Sequence, residues 1–353
     1  MTAEPAHLVQ LIRSGVDGHE RCVALVNEPH LHCLLGVRSV YELAQRCVEQ
    51  SQPMAEAARS LATGTLLLYD EVWAGSREAT GSSWRLLPPI DVLGAPSRVL
   101  VAGTGLTHLG SARQRQAMHF NDQAKPAEAQ VALTDSMRMF EWGVEGGRPA
   151  VGEAGIAPEW FYKGDGSILR APFDPLEIPS YAEDGGEEAE IAGIYIISAD
   201  GTPYRIGMCQ GNEFADHQFE KRNYLNLAGS KLRQCSLGPE LVVGAPFADI
   251  QGEVRIERDG AQLWQKPIAS GESNMAHSLA NLEHHHFKFA GHRQPGAVHV
   301  HFFGADALSF GEGIVLGQGD LAEVHFEGFG RPLRNPIQAA ATSTRSITVR
   351  SLA

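Results

Sequence analysis

The sequence predicts an α+β chain, mostly β, built as a smaller α/β N-terminal domain over residues 1–94 and a larger domain over residues 95–353. Three observations carry this. Asp200-Gly201 and Asp259-Gly260 each stand between alternating apolar runs, the signature of hairpin turns whose central residues take positive φ. Helical periodicity is limited to a few runs, Val40 to Leu61 and Asn274 to Phe287 among them. The proline- and glycine-marked stretch from Leu86 to Val101 reads as a linker entering a buried strand, which sets the boundary near residue 94.

With 43% hydrophobic and 20% charged residues, the 353-residue chain can bury a sizeable core. Its net charge of −13 excludes nucleic acid as a partner, because a polyphosphate backbone is held by Lys and Arg; acidic membrane surfaces are excluded likewise. Five widely spaced cysteines without a CxxC pair read as reduced, buried thiols. No signal-peptide pattern and no apolar run of spanning length is present, so the expectation is a cytoplasmic protein without membrane contact.

In chain order, Leu8 to Ile12 opens amphipathically, and Glu20 to Leu35 mixes short apolar segments with turn residues. Val40 to Leu61 is helical but interrupted by Pro53, so two helices are expected. His30 and His32 share a strand face but have no Cys or carboxylate beside them, and read as ordinary strand residues. After the strand ending near Val101, Gly103-Thr104-Gly105 delivers His108 into a glycine-rich loop. The spacing lacks the third glycine of a dinucleotide loop, and no helix opens cleanly after it. His108 is either a catalytic group on a mobile segment or a surface loop residue. Residues 113–140 are polar, then helical with Val131, Met137 and Phe140 on the apolar side, and the glycines from 143 to 157 mark a loop. Trp160 to Gly164 begins a strand.

The stretch from Glu188 to Glu213 carries the chemistry. A two-residue turn at Asp200-Gly201 sets Glu188 directly opposite Glu213, and alternation puts Glu190 on the same face. Three carboxylates on one patch repel one another, so either some are neutral or a cation lies among them. All-oxygen ligands favour a hard ion, Mg2+ or Ca2+; a solvated acidic strand end is the alternative reading. Beyond it, Asn274 to Phe287 is expected to be a helix capped by Ser273 or Asn274. Its consecutive His284, His285 and His286 point in different directions and read as surface. His299 and His301 alternate on a strand and either pack in the core or reach the site mouth. The tail from Gln338 to Ala353 reads as an edge strand or extension.

An ordered series of motifs resembles the fumarylacetoacetate hydrolase superfamily: Phe161-Tyr162-Lys163-Gly164, Ser167-Ile168-Leu169, Glu188-Ala189-Glu190-Ile191-Ala192, Asn212-Glu213-Phe214-Ala215, Ser230-Lys231 and Gly238-Pro239, then Gly319-Asp320-Leu321-Ala322-Glu323-Val324 and Asn335-Pro336-Ile337. It covers roughly residues 95 to 340. The resemblance implies a mixed β-roll catalytic domain in a homodimer. It further implies Mg2+, or else Mn2+ or Ca2+, on Glu188, Glu190 and Glu213, with Lys231 as the active-site lysine and Lys163 and Ser230 beside the substrate. Three departures stand out. The third ligand, normally Asp, is Glu213; His217 takes the place of an arginine; and a Thr-Gly-Thr is here Phe303-Gly304-Ala305 followed by Asp306, so Ala305 and Asp306 meet the substrate without the usual hydroxyl. The pattern resembles the sugar-acid branch of 2-keto-3-deoxy-pentonate dehydratases.

The function this implies is metal-dependent dehydration of a 2-keto-3-deoxy sugar acid, with Lys231, His108 and His217 as catalytic residues. Two alternatives remain open at this point: C–C hydrolysis of a 2,4-diketo acid, and a non-catalytic sugar-acid-binding protein. Hydrolytic members pair a loop His with a nearby Glu; here position 111 is Ser111, which weighs against hydrolysis.

Overall fold

The computed structural model describes residues 4–15, 18–78, 83–120, 134–341 and 346–352. The chain opens with an antiparallel meander of β1 (Ala6–Gly15), β2 (Gly18–Asn27) and β3 (His30–Cys33). The helical run breaks at Pro53 as expected, into α1 (Val40–Gln50) and α2 (Met54–Leu61). Ser39 caps α1, its hydroxyl accepting from the Glu42 amide at 3.1 Å. Strand β4 (Leu66–Leu68), α3 (Tyr69–Glu78) and β5 (Arg85–Leu86) follow. Strand β6 (Val99–Gly105) then leads into α4 (Leu109–Phe120) and α5 (Asp135–Gly146). A helix therefore does open one residue after His108, and α5 runs through two of the glycines expected to form a loop. Met137 and Phe140 are buried as expected; Val131 lies outside the described residues.

The site-bearing part comprises β7 (Glu159–Asp165), β8 (Leu169–Arg170), β9 (Leu176–Ile178), β10 (Ala189–Ile197), β11 (Pro203–Asn212), α6 (His217–Arg222), α7 (Leu227–Lys231), β12 (Cys235–Leu237) and β13 (Leu241–Val243). It continues with β14 (Ile250–Arg258), β15 (Ala261–Ser270), α8 (Leu279–Phe287), β16 (Val298–Phe302), β17 (Leu321–Phe326) and β18 (Leu333–Ala339). These strands make two mixed sheets. The larger runs β4-β3-β2-β1-β13-β11-β10-β16-β6-β7, and the smaller β15-β14-β17-β18-β9. Strand β1 pairs with β13, and the main core joins Leu8, Val40 and Leu43 to Val101, Ile194 and Phe302. The units drawn on either side of residue 94 thus share one sheet and one core. The tail beyond β18 has no regular structure over residues 346–352.

The β10–β11 hairpin reaches the expected register by an unexpected route. Its loop has three residues, not two: the Ser198 amide donates to Thr202 O and the Gly201 amide to Ser198 O, both at 3.0 Å, with Gly201 at φ +84°. The strands therefore start one residue out of the predicted register. An unpaired Ile206 on β11 restores it, so that Ile194 faces Gly207 and Ala189 faces Asn212. Across the next position the Glu213 amide donates to Glu188 O at 2.9 Å. The second hairpin turns at Asp259 and Gly260, both at positive φ.

Two readings of the α8 region are corrected. The helix starts at Leu279 under a Ser278 cap, because Glu272–Asn274 forms a separate 3-10 turn. His286 is not on the surface: it is fully buried, stacked on His301 with ring centroids 4.4 Å apart and bonded to His299. Its neighbours fix its protons. The Trp160 indole N–H can only donate, so His286 Nδ1 accepts at 3.1 Å; the neutral ring then donates from Nε2 to His299 Nδ1 at 2.9 Å. His299 and His301 pack in the core, and burial depresses both to about 3. Below the unfolded histidine value of about 6.5, the unfolded chain binds protons that these rings refuse. They therefore contribute stability that is complete above that pH and is lost as the pH falls towards 3. In imidazole 15N spectra, the His299 and His301 resonances are expected to stay neutral between pH 7.5 and 4.5, and a midpoint near 6.5 for either would contradict this burial.

Candidate metal centre

Glu188 precedes β10, Glu190 lies within it and Glu213 follows β11, and each offers a carboxylate oxygen within 4.8 Å of the others. All three are buried. The Lys231 ammonium, at the end of α7, donates to Glu188 Oε1 and Glu213 Oε2 and lies 4.7 Å from the Phe161 ring centroid. Lys163 Nζ donates to Phe214 O at 2.7 Å and Lys231 O at 3.0 Å, and forms an ion pair with Glu213 Oε1 at 2.6 Å. Phe214 is held at φ +47°, unusual for a bulky residue; this turns its carbonyl to the lysine.

The three carboxylates differ electrostatically. Burial pushes Glu188 up, but Lys231 and His217 outweigh it and hold the group well below the usual carboxylate range. Burial and the Glu188 charge raise Glu213, with Lys163 and Lys231 offsetting part of this. Glu190 is pushed well above the usual range by burial, then by the charges of Glu188 and Glu213. Its Oε2 accepts the Gly304 amide at 2.7 Å. Glycine is required there: φ is +100°, and a Cβ would sit 2.0 Å from Thr107 Oγ1. A divalent cation fits this donor set, since the negative charge exceeds what the lysines balance and Glu213 Oε1 has no hydrogen bond of good geometry.

The two candidate histidines differ. His217 opens α6, and its Nε2 contacts Glu188 Oε1 at 2.9 Å. A Cβ at Gly186 would lie 2.2 Å from His217 Nδ1, so the rest of the ring is packed against backbone and, at 5.3 Å, the Phe310 ring. Burial works against protonation of His217, yet the Glu188 bond and charge raise its pKa. For His108 the Thr107 hydroxyl decides the tautomer. That hydroxyl donates to Phe303 O at 2.6 Å, so it accepts from His108 Nδ1 at 2.8 Å. Among the described residues His108 Nε2 is left as a buried, unpartnered lone pair, and burial lowers the ring to about 4. His108 is thus neutral at pH 7.

The remaining expected site residues are engaged with protein groups. The Ser230 hydroxyl donates to Leu227 O at 2.7 Å. Ala305 is buried, and Asp306 accepts the Ala269 amide at 3.1 Å. Lys163 is buried, bonded to two backbone carbonyls and paired with Glu213.

A buried network escaped the sequence reading. Arg115 of α4 bonds Glu159 Oε2 and pairs with Glu220 Oε1, each at 2.9 Å, and Tyr224 donates to Glu159 Oε1 at 2.7 Å. It borders the carboxylates, because the Glu188 charge acts on Arg115 and the Arg115 charge on Lys231. Alternation along β7 puts Glu159 on the face of Phe161 and Lys163, a signal that was legible. Arg115 and Glu220 gave none. Glu187, on the opposite face from Glu188, takes the Ser309 amide and hydroxyl at 2.6 Å each. A groove of about 600 Å3 opens elsewhere, walled by Cys47, Met54, Arg205, Met208 and Val243, and none of the three carboxylates lines it.

The fold is one shared with solved structures of enzymes, and it agrees with the fold expected from the motif series. Among solved structures it is similar to 2-keto-3-deoxyarabinonate dehydratase, with 15% identity, TM-score 0.66, and 95% of this chain and 99% of that one covered. The same dehydratase complexed with magnesium and 2,5-dioxopentanoate superposes at TM-score 0.65, 15% identity and the same coverage. The 5-carboxymethyl-2-hydroxymuconate delta-isomerase of Mycobacterium smegmatis matches at TM-score 0.53 and 17% identity, again covering 95% and 99%. No protein-family model and no curated protein sequence matches the chain. Among the described residues no helix is long and apolar enough to cross a membrane.

Proposed function

We propose that this chain is a divalent-metal-dependent dehydratase of a 2-keto-3-deoxy sugar acid, converting it to a dioxo acid and water. The observation that carries the reading is the buried convergence of Glu188, Glu190 and Glu213 beneath Lys231. These carboxylates would hold Mg2+, which supplies Lewis-acid polarisation of a 2-oxo acid and so acidifies its C3 hydrogens. The Lys231 ammonium stabilises negative charge developing on the substrate. His108, neutral and with a bare Nε2, takes the C3 proton and passes it to the C4 hydroxyl, which leaves as water; tautomerisation of the resulting enone then gives the aldehyde. His217 acts on Glu188, whose oxygen it shares with Lys231, and positions it. A dehydratase and its 2,5-dioxopentanoate complex stand among the structural neighbours, which favours dehydration over C–C hydrolysis. We expect the working form to be a cytoplasmic homodimer.

The decisive experiment is incubation with Mg2+ and 2-keto-3-deoxypentonates, with 2,4-diketo acids in parallel. Aldehyde formation from the first, abolished by chelator and restored by Mg2+, is the expected result. Pyruvate from the second would mean a hydrolase, and binding without turnover of either a non-catalytic protein. The histidines separate by readout. His108→Asn is expected to lower kcat by roughly 100- to 10,000-fold with Mg2+ affinity kept. His217→Asn should instead weaken Mg2+ binding by about 10- to 100-fold, measured by calorimetry.

A further inference from the structure

The N-terminal strands hold a pair of thiols that the carboxylate site does not use. Ala24 of β2 faces Cys33 of β3, so Cys22, two residues along, shares that sheet face with Cys33 on the diagonal. Cys33 ends its strand, and the two Sγ atoms are 3.3 Å apart. They lie in a small core with Val9, Leu11, Leu31 and Tyr69. Cys33 is buried, whereas Cys22 is half-buried and open to solvent on one side. The other thiols differ: Cys209 and Cys235 are fully buried in the main sheet, and burial pushes the pKa of both up. Cys47 lines the groove beside α2, with no thiol bonded to it among the described residues.

We propose that Cys22 and Cys33 form a redox-active dithiol, a modification site that takes a two-electron oxidant of the peroxide class and closes to an intrachain disulfide. The Cys22 sulfur attacks a peroxide oxygen; the O–O bond breaks, leaving a sulfenic acid on Cys22 and releasing one water. The Cys33 sulfur then attacks the sulfenic sulfur; the S–O bond breaks and the second water departs with the Cys33 proton. Two thiols and one peroxide thus give one disulfide and two waters. Cys22 is the half-buried member of the pair and Cys33 the buried one, so Cys22 is the sulfur that meets the oxidant. Bond formation needs the sulfurs to approach by about 1.3 Å, to the usual ~2.05 Å. Cys33 provides that movement most easily, as the last residue of its strand.

Cleavage after Arg21 and Arg38 leaves both cysteines in one tryptic peptide, residues 22–38. The folded full chain would be treated with hydrogen peroxide, then freed of peroxide, unfolded, alkylated and digested without reductant. The expected result is that this peptide appears unalkylated and two hydrogens lighter, that three of the five cysteines remain alkylatable, and that dithiothreitol restores all five. Cys22→Ser and Cys33→Ser should each lack the bridge while Cys47, Cys209 and Cys235 stay reduced. A doubly alkylated peptide, under peroxide that fully oxidises a small dithiol control, would overturn the proposal. So would loss of Cys47, Cys209 or Cys235 ahead of this pair.

Discussion

Glu190→Gln is expected to abolish turnover and to weaken Mg2+ binding by about 100-fold or more, the upper end of what even outer-shell partners cost, while leaving the metal-free fold intact. The reason lies in the charge balance. Without a cation, burial and the charges of Glu188 and Glu213 push Glu190 well above the usual carboxylate range and so towards its neutral form. A glutamine keeps the acceptor for the Gly304 amide and matches that neutral form, so the metal-free variant should unfold no earlier than the parent. With metal the order reverses. At Mg2+ 100-fold above its Kd the parent gains about 2.7 kcal/mol, whereas a variant bound 100-fold more weakly gains about 0.4 kcal/mol. Urea unfolding with and without Mg2+, beside Mn2+ binding followed by electron paramagnetic resonance, reads both effects. Unchanged activity in this variant and in chelator-treated parent would remove the metal from the mechanism.

Lys163→Met should show the largest loss of stability, about 3–5 kcal/mol, the scale of a buried ion pair broken on one side. The ammonium holds Phe214 O, Lys231 O and the Glu213 carboxylate at once. Its removal leaves Glu213 with Lys231 alone and releases the turn that aims both groups. Urea midpoint and kcat should fall together. A substrate-contacting lysine would behave differently, raising KM at unchanged stability, and that result would return Lys163 to the role its motif suggested.

How much of this was legible follows from what each feature depends on. Hairpin position, strand alternation and the break at Pro53 are local, so residue types alone located β10, β11, α1 and α2. The Glu188–Glu213 pairing was also predicted, but through a two-residue loop that does not exist. The three-residue loop and the unpaired Ile206 displace the register in opposite senses, and neither leaves a mark in the residue pattern. His286 was misread because helix neighbours do point apart, but only packing decides which of them points inward, here against Trp160, His299 and His301.

The sequence by itself determined the strands, where the chain turns between them and the face on which Glu188 and Glu190 stand, since backbone geometry and alternation act over a few residues. Only the tertiary structure decided how the charges are shared. It set Lys163 and Lys231 against the carboxylates, gave His217 to Glu188, left His108 Nε2 bare and buried Arg115 between Glu159 and Glu220. Those assignments rest on contacts between residues far apart in the chain, made in a low-dielectric interior where an unpaired charge is costly.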